Sequence, residues 1–182
     1  MHRELVRHSK FLSLVLRHDP AVIGIELDEA GWVDVSTLLE AMKNHRPQIT
    51  RERLFEIVET NDKRRFAFSE DRVRIRASQG HSIGVDLDLR PSTPPNSLFH
   101  GTAEENLTSI RETGLLRCQR DHVHLSADNE TAKKVGARHG KPVVLEIASK
   151  QMAESDFIFY VSENGVWLTA HVPSTFIVFP DA

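Results

Sequence analysis

Six short stretches hold side chains that can grip a phosphate or move a proton. They are Arg17-His18, Lys63-Arg64-Arg65, Arg76-Ala77-Ser78-Gln79-Gly80-His81-Ser82, His100-Gly101-Thr102, Arg120-Asp121-His122-Val123-His124-Leu125-Ser126 and Asn164-Gly165-Val166. Arginine offers a planar fork of N–H donors that matches phosphate oxygens, and histidine exchanges a proton near neutral pH. Each stretch also has an ordinary reading. Arg17-His18 could simply cap a helix C-terminus, where cations are favoured. Lys63-Arg64-Arg65 could be a solvated basic run, and Gln79-Gly80-His81-Ser82 an ordinary polar turn. The same turn could instead present backbone N–H groups to a phosphate as an anion nest. At His100-Gly101-Thr102, glycine would let a ligand approach the backbone closely. His122-Val123-His124 places two imidazoles on one strand face. A zinc site needs three or four ligands, and Cys118 and His100 are the nearby candidates, so no metal is expected. Gly136-Ala137-Arg138-His139-Gly140-Lys141 has the wrong spacing for a phosphate-binding P-loop, and no dinucleotide fingerprint or nucleophile elbow is present.

These residues need a scaffold, and 182 residues suffice for one ordinary domain or two small ones. Pro91-Ser92-Thr93-Pro94-Pro95-Asn96-Ser97 breaks the pattern and reads as a linker between lobes at 1–90 and 98–182. Before it, apolar spacing predicts a helix over 9–18, a second capped by Asp34 or Ser36, and a third capped by Thr50. Phe66 and Phe68, then Val73, Ile75 and Ala77, alternate with Arg65, Arg72, Arg74 and Arg76, which predicts a two-stranded hairpin with Arg64 and Arg65 on opposite faces. Three helices and a ribbon outline a winged helix. After the linker, Leu98–His100, His122–Leu125, Val143–Ala148, Phe157–Val161, Val166–Ala170 and Phe176–Phe179 read as strands. Thr102 with Glu105 forms a capping-box pattern for a helix ending at Gly114, and Asp128 or Asn129 opens one ending at Gly140. The fold class is α+β with a mostly antiparallel sheet.

Composition excludes other classes. The net charge of −3 argues against a bulk polyanion binder, yet residues 61–81 carry six basic against three acidic side chains, enough for a few phosphates. The single cysteine excludes an internal disulfide and fits a reducing compartment. No apolar run is long enough for a spanning helix, and the opening Met1-His2-Arg3-Glu4 leads into a charged helix. A monomer in the cytoplasm, with no membrane partner, is expected.

In order and spacing, these motifs together resemble the RNA 2′-phosphotransferase family across residues 3–180. The resemblance implies a winged-helix RNA lobe and an NAD-binding lobe of the ADP-ribosyltransferase fold. It implies a catalytic set of Arg17, His18, Arg65 and Arg120, with Arg65, before Phe66, matching better than its neighbour Arg64. It implies NAD contacts at His100, Gly101, Thr102, His124, Ser126, Asn164 and Val166, and RNA contacts at Lys63, Arg64, Arg76, Gln79, His81 and Ser82. NAD would be consumed in removing an internal 2′-phosphate from RNA, with ADP-ribose 1″,2″-cyclic phosphate as product and a site in the cleft between lobes. The alternative is an ADP-ribosyltransferase that modifies nucleic-acid phosphate ends. Val166 looks to occupy the strand position where many ADP-ribosyltransferases carry glutamate, and a phosphate nucleophile needs no such base. Phe99 stands where the family often has tyrosine.

Overall fold

The computed structural model describes residues 2–45, 49–61 and 63–180, and the chain divides into two compact units, 1–88 and 89–182.

Unit 1 begins with α1 (His2–Arg17). The helix starts well before Ser9, because Leu5 and His8 continue the stripe of Leu12, Val15 and Leu16; His8 is 2% exposed and occupies an apolar position, which hid the period. Asp19 and Pro20 end it: the Asp19 carboxylate accepts from Val22 N–H at 3.1 Å and starts a 3₁₀ turn over Pro20–Ile23. Then come β1 (Val33–Asp34), α2 (Val35–Met42), α3 (Arg51–Glu59), β2 (Phe66–Phe68) and β3 (Arg74–Ala77). Thr50 caps α3 by accepting from Arg53 N–H, whereas Asp34 precedes α2 without a side-chain bond. The sheet has three antiparallel strands in the order β1-β3-β2, not two. The added strand is only two residues long, too short to show alternation. Leu12, Val15, Leu16, Leu38, Met42, Leu54 and Ile75 form the core at 0% exposure.

Unit 2 contains β4 (Leu98–Ala103), α4 (Leu107–Thr113), β5 (Leu115–Leu116), β6 (Val123–Leu125), α5 (Asn129–Gly136), β7 (Pro142–Ile147), α6 (Ser149–Glu154), β8 (Phe159–Val161), β9 (Trp167–Thr169), β10 (His171–Val172) and β11 (Ile177–Val178). Its strands form β11-β7-β4, β6-β9-β8 and the pair β10-β5, and every pairing is antiparallel. Phe99 and Ser126 exchange backbone hydrogen bonds at 2.9 and 2.7 Å, joining β4 to the segment after β6. The proline-rich stretch packs on this unit: Ser92 N–H donates to Phe159 and Ser149 Oγ donates to the Pro95 carbonyl.

Two expectations fail here. β4 runs on through Ala103 with Thr102 paired to Val143, so Thr102 is committed to the sheet and caps nothing; its Oγ1 accepts from Asn106 Nδ2 at 3.2 Å, and α4 starts only at Leu107. Helix α5 is capped by Asp128 as expected, but it ends at Gly136 and the chain turns before Gly140.

Candidate functional site

In unit 1 the main chain gathers three stretches. Arg17 Nη2 donates to the Arg65 carbonyl at 3.2 Å, and Ser78 N–H donates to the same oxygen at 2.9 Å. Ser82 N–H donates to the Arg17 carbonyl at 2.9 Å, and Ser82 Oγ lies 2.9 Å from His18 Nδ1. His81, 1% exposed, hydrogen-bonds the Leu16 backbone. The end of α1, the start of β2 and the turn after β3 are thus tied at successive residues, which orients the Arg17 guanidinium and the His18 ring. Burial holds the His81 pKa down to about 4, with Arg17, His18 and Arg76 contributing. A neutral imidazole therefore sits beside the Arg17 and Arg76 guanidinium groups at pH 7.

One reading of this region changes. The strand alternation does not reach Arg64, whose φ is 41°, a left-handed turn conformation. Arg64 is exposed and its carbonyl accepts from Ser78 Oγ at 2.8 Å, whereas Arg65 is half-buried. Lys63 is exposed beside it. In the turn at 78–82 the Ser78 and Ser82 N–H groups serve backbone carbonyls. The Gln79 Oε1 and His81 Nε2 atoms are buried without a hydrogen-bond partner.

In unit 2, Arg120 Nη1 and His124 Nδ1 are in direct contact, and the His124 carbonyl lies 3.0 Å from His100 Nδ1. Burial lowers the His100 pKa despite that bond, with Arg120 and His139 contributing. His122 turns to the Tyr160 ring, 5.5 Å between centroids, and burial lowers its pKa too. Gly101 does not open the backbone to a ligand on its Cβ side: a Cβ there would lie 1.7 Å from the Ala132 carbonyl oxygen, so α5 fills that space. Asn164 and Val166 share a turn built on Ser162, 3% exposed, whose hydroxyl bonds Asn164 Oδ1 at 2.7 Å and both polar backbone groups of Val166. Val166 lies just before β9.

The structure thus gathers Arg17, His18, Arg65, Arg76, His81 and Ser82 in one unit and His100, Arg120 and His124 in the other. Sequence reasoning gave Ser78 no role within its stretch and missed Ser162, the two residues that organise the turns; a single buried serine directly after a strand leaves only a weak sequence signal. Among the described residues, no three His, Cys, Asp or Glu groups could hold a metal, and no helix is long and apolar enough to cross a membrane.

Comparison with known proteins agrees with the motif order. The family model described as RNA 2′-phosphotransferase, Tpt1/KptA family, matches residues 3–171. A relative from Rhodopirellula baltica, named "Probable RNA 2′-phosphotransferase", is 52% identical over 98% of this chain and 97% of its own length. Relatives of the same name from Acaryochloris marina and Streptomyces coelicolor are 53% and 52% identical over 98% and 96% of this chain, and 98% and 95% of their own. Motifs, length and identity run together over nearly the whole sequence, and the chain belongs to the RNA 2′-phosphotransferase family.

Proposed function

We propose that this chain is an NAD-dependent enzyme that removes an internal 2′-phosphate from RNA, with unit 1 as a winged-helix RNA lobe and unit 2 as an ADP-ribosyltransferase-like NAD lobe. When bound, NAD supplies the ADP-ribose acceptor: nicotinamide leaves, a 2′-phospho-ADP-ribosylated RNA forms, and the phosphate departs as ADP-ribose 1″,2″-cyclic phosphate from an RNA 2′-hydroxyl. The observation that carries the reading is the main-chain junction that fixes Arg17, His18 and Arg65 together in a member of this family.

The residues suit that chemistry. A phosphomonoester is already anionic at pH 7 and needs positioning more than deprotonation. Arg17 and Arg65 of unit 1 carry guanidinium groups suited to oxygens that gain charge as phosphoryl transfer proceeds, and Arg120 of unit 2 carries another. With His18 Nδ1 engaged by Ser82, the proton step falls to Nε2, which takes the proton of the attacking hydroxyl or returns one to the departing 2′-oxygen. The half-buried, backbone-anchored position of Arg65 favours it over the exposed Arg64. In unit 2, the donor set fits a dinucleotide. His100, Arg120 and His124 include no carboxylate to repel a pyrophosphate. The succession helix, strand, helix, helix, strand, strand with a β1-β3-β2 sheet supports the winged-helix assignment of unit 1.

The test is incubation with NAD and an oligonucleotide carrying one internal 2′-phosphate, followed by chromatography. Appearance of ADP-ribose 1″,2″-cyclic phosphate and 2′-hydroxyl RNA is expected. An ADP-ribosylated oligonucleotide that persists as end product would replace this reading with phosphate-end modification, and release of inorganic phosphate without NAD would overturn it.

A further inference from the structure

The outer face of the unit 1 sheet carries an indole, Trp32, next to Arg76 of the phosphate cluster. In the β1–β3 register Val33 pairs with Ile75 and Asp34 with Arg74, so the next step places Trp32 beside Arg76. Val33 and Ile75 point into the core at 6% and 0% exposure. Alternation sends Trp32, Arg74 and Arg76 to the other face. The guanidinium of Arg76 lies 4.5 Å from the Trp32 ring centroid and that of Arg74 lies 5.5 Å from it. Across the sheet Ala67 pairs with Arg76, and Arg65, two residues earlier, is on the face of Ala67. One face therefore leads from Arg65, past Arg76, to a half-buried indole, roughly 12 Å away by strand spacing.

We infer that Trp32, Arg74 and Arg76 form a nucleotide subsite that stacks the base next to the 2′-phosphorylated nucleotide and holds its backbone phosphate. The inference rests on RNA being the substrate, as proposed above. An indole accepts any base, since every base has a π face, so the subsite orders the strand without reading sequence. A guanidinium laid on an indole is restrained by the cation–π contact, and its planar fork of N–H donors matches phosphate oxygens. Negative charge stands at the indole end of the track: the Asp28 carboxylate accepts from Trp32 N–H at 2.8 Å and pairs with Arg74 at 3.5 Å, and Asp34 stands opposite Arg74. The favourable stretch is thus short, sized for a neighbouring nucleotide rather than for an extended strand.

The test uses the full chain without NAD. Short oligonucleotides with one internal 2′-phosphate are compared with versions made abasic at the 5′ or the 3′ neighbour, with affinity read by anisotropy. One abasic version should bind roughly tenfold more weakly, by the loss of a single stacked base. Trp32→Ala should show the same tenfold loss on the intact oligonucleotide and no further loss on the abasic one, while Trp32→Phe should keep most of the affinity. In a Trp167→Phe background, the remaining Trp32 fluorescence should be quenched by the intact ligand only. Equal affinity for intact and both abasic oligonucleotides, with Trp32 fluorescence unchanged on binding, would overturn the subsite while leaving the phosphotransferase reading in place. Absence of binding to every 2′-phosphorylated oligonucleotide would sink both.

Discussion

A neutral imidazole among cations gives His81 a definite pH signature. Its pKa of about 4 lies below the ordinary value of 6.5, so between those values the unfolded chain binds more protons than the folded one. Stability from this group is fully present above pH 6.5 and is lost as pH falls toward 4. The loss at pH 5 relative to pH 7 is on the order of 2 kcal/mol, and the lowered pKa values of His100 and His122 act with the same sign. Urea unfolding at the two pH values should show the drop, and His81→Asn should reduce it. His18 and Arg120 are expected to matter at a different step. His18→Ala and Arg120→Ala should slow phosphoryl transfer by about 10²–10³ and ADP-ribosylation less, so that the ADP-ribosylated RNA accumulates on a denaturing gel. Equal loss of both steps, with no adduct, would make them substrate-binding groups only. At this scale the sequence was informative about which residues matter and poor about why. The Arg17–His18 pair reads equally as a helix end, and only the bonds to Arg65 and Ser82 distinguish the two.

At the scale of elements, glycines of the two units separate packing from conformation. Gly101 and Gly136 are where β4 and α5 meet backbone to backbone; a Cβ on Gly136 would stand 2.7 Å from the Thr102 carbonyl oxygen. Gly101→Ala should therefore destabilise the chain by about 3 kcal/mol or more, because the clash is with main chain that cannot rotate away. Gly24 has φ of 71° and open space around it, so Gly24→Ala should cost only about 1 kcal/mol of left-handed strain. Thermal unfolding of the two variants compares them directly. Periodicity and capping revealed most helices and the longer strands. Thr50 and Asp128 cap as their positions suggest. What stayed hidden has physical causes. The two-residue strands β1, β5 and β10 span a single period of alternation, too little to show a repeat. His8 looked polar in a stripe where it is buried. Thr102 had the residue type of a cap, but its backbone was claimed by pairing with Val143.

For the whole molecule, each unit has its own apolar core. A fragment of residues 89–182 should fold and retain NAD affinity by calorimetry. One beginning at Ser97 should be less stable, since it loses the Pro91–Tyr160 bridge, the Ser92–Phe159 bond and the Pro95–Ser149 bond. NAD binding that requires residues 1–88 would contradict the assignment of NAD to unit 2. The chain is acidic overall, so RNA affinity should rest on few phosphates, with a slope of log affinity against log salt of about −2 to −3. Activity confined to folded, tRNA-sized substrates in a length series would show that RNA shape, not the local phosphate, is recognised.

The β4–α5 seam has a mechanical corollary. Where two backbones touch with no side chain between them, no rotamer can relax and no slack exists to absorb a push. His100 is the residue immediately before that seam, on an anvil rather than a cushion. If NAD contacts His100 as proposed, it meets a surface that does not yield, and adaptation to ligand shape would fall to the irregular 117–122 segment that carries Arg120, where Cys118 adopts a φ of 53°. In amide exchange, Gly101 and Thr102 should be among the last protons of unit 2 to leave, and those of 118–121 among the first.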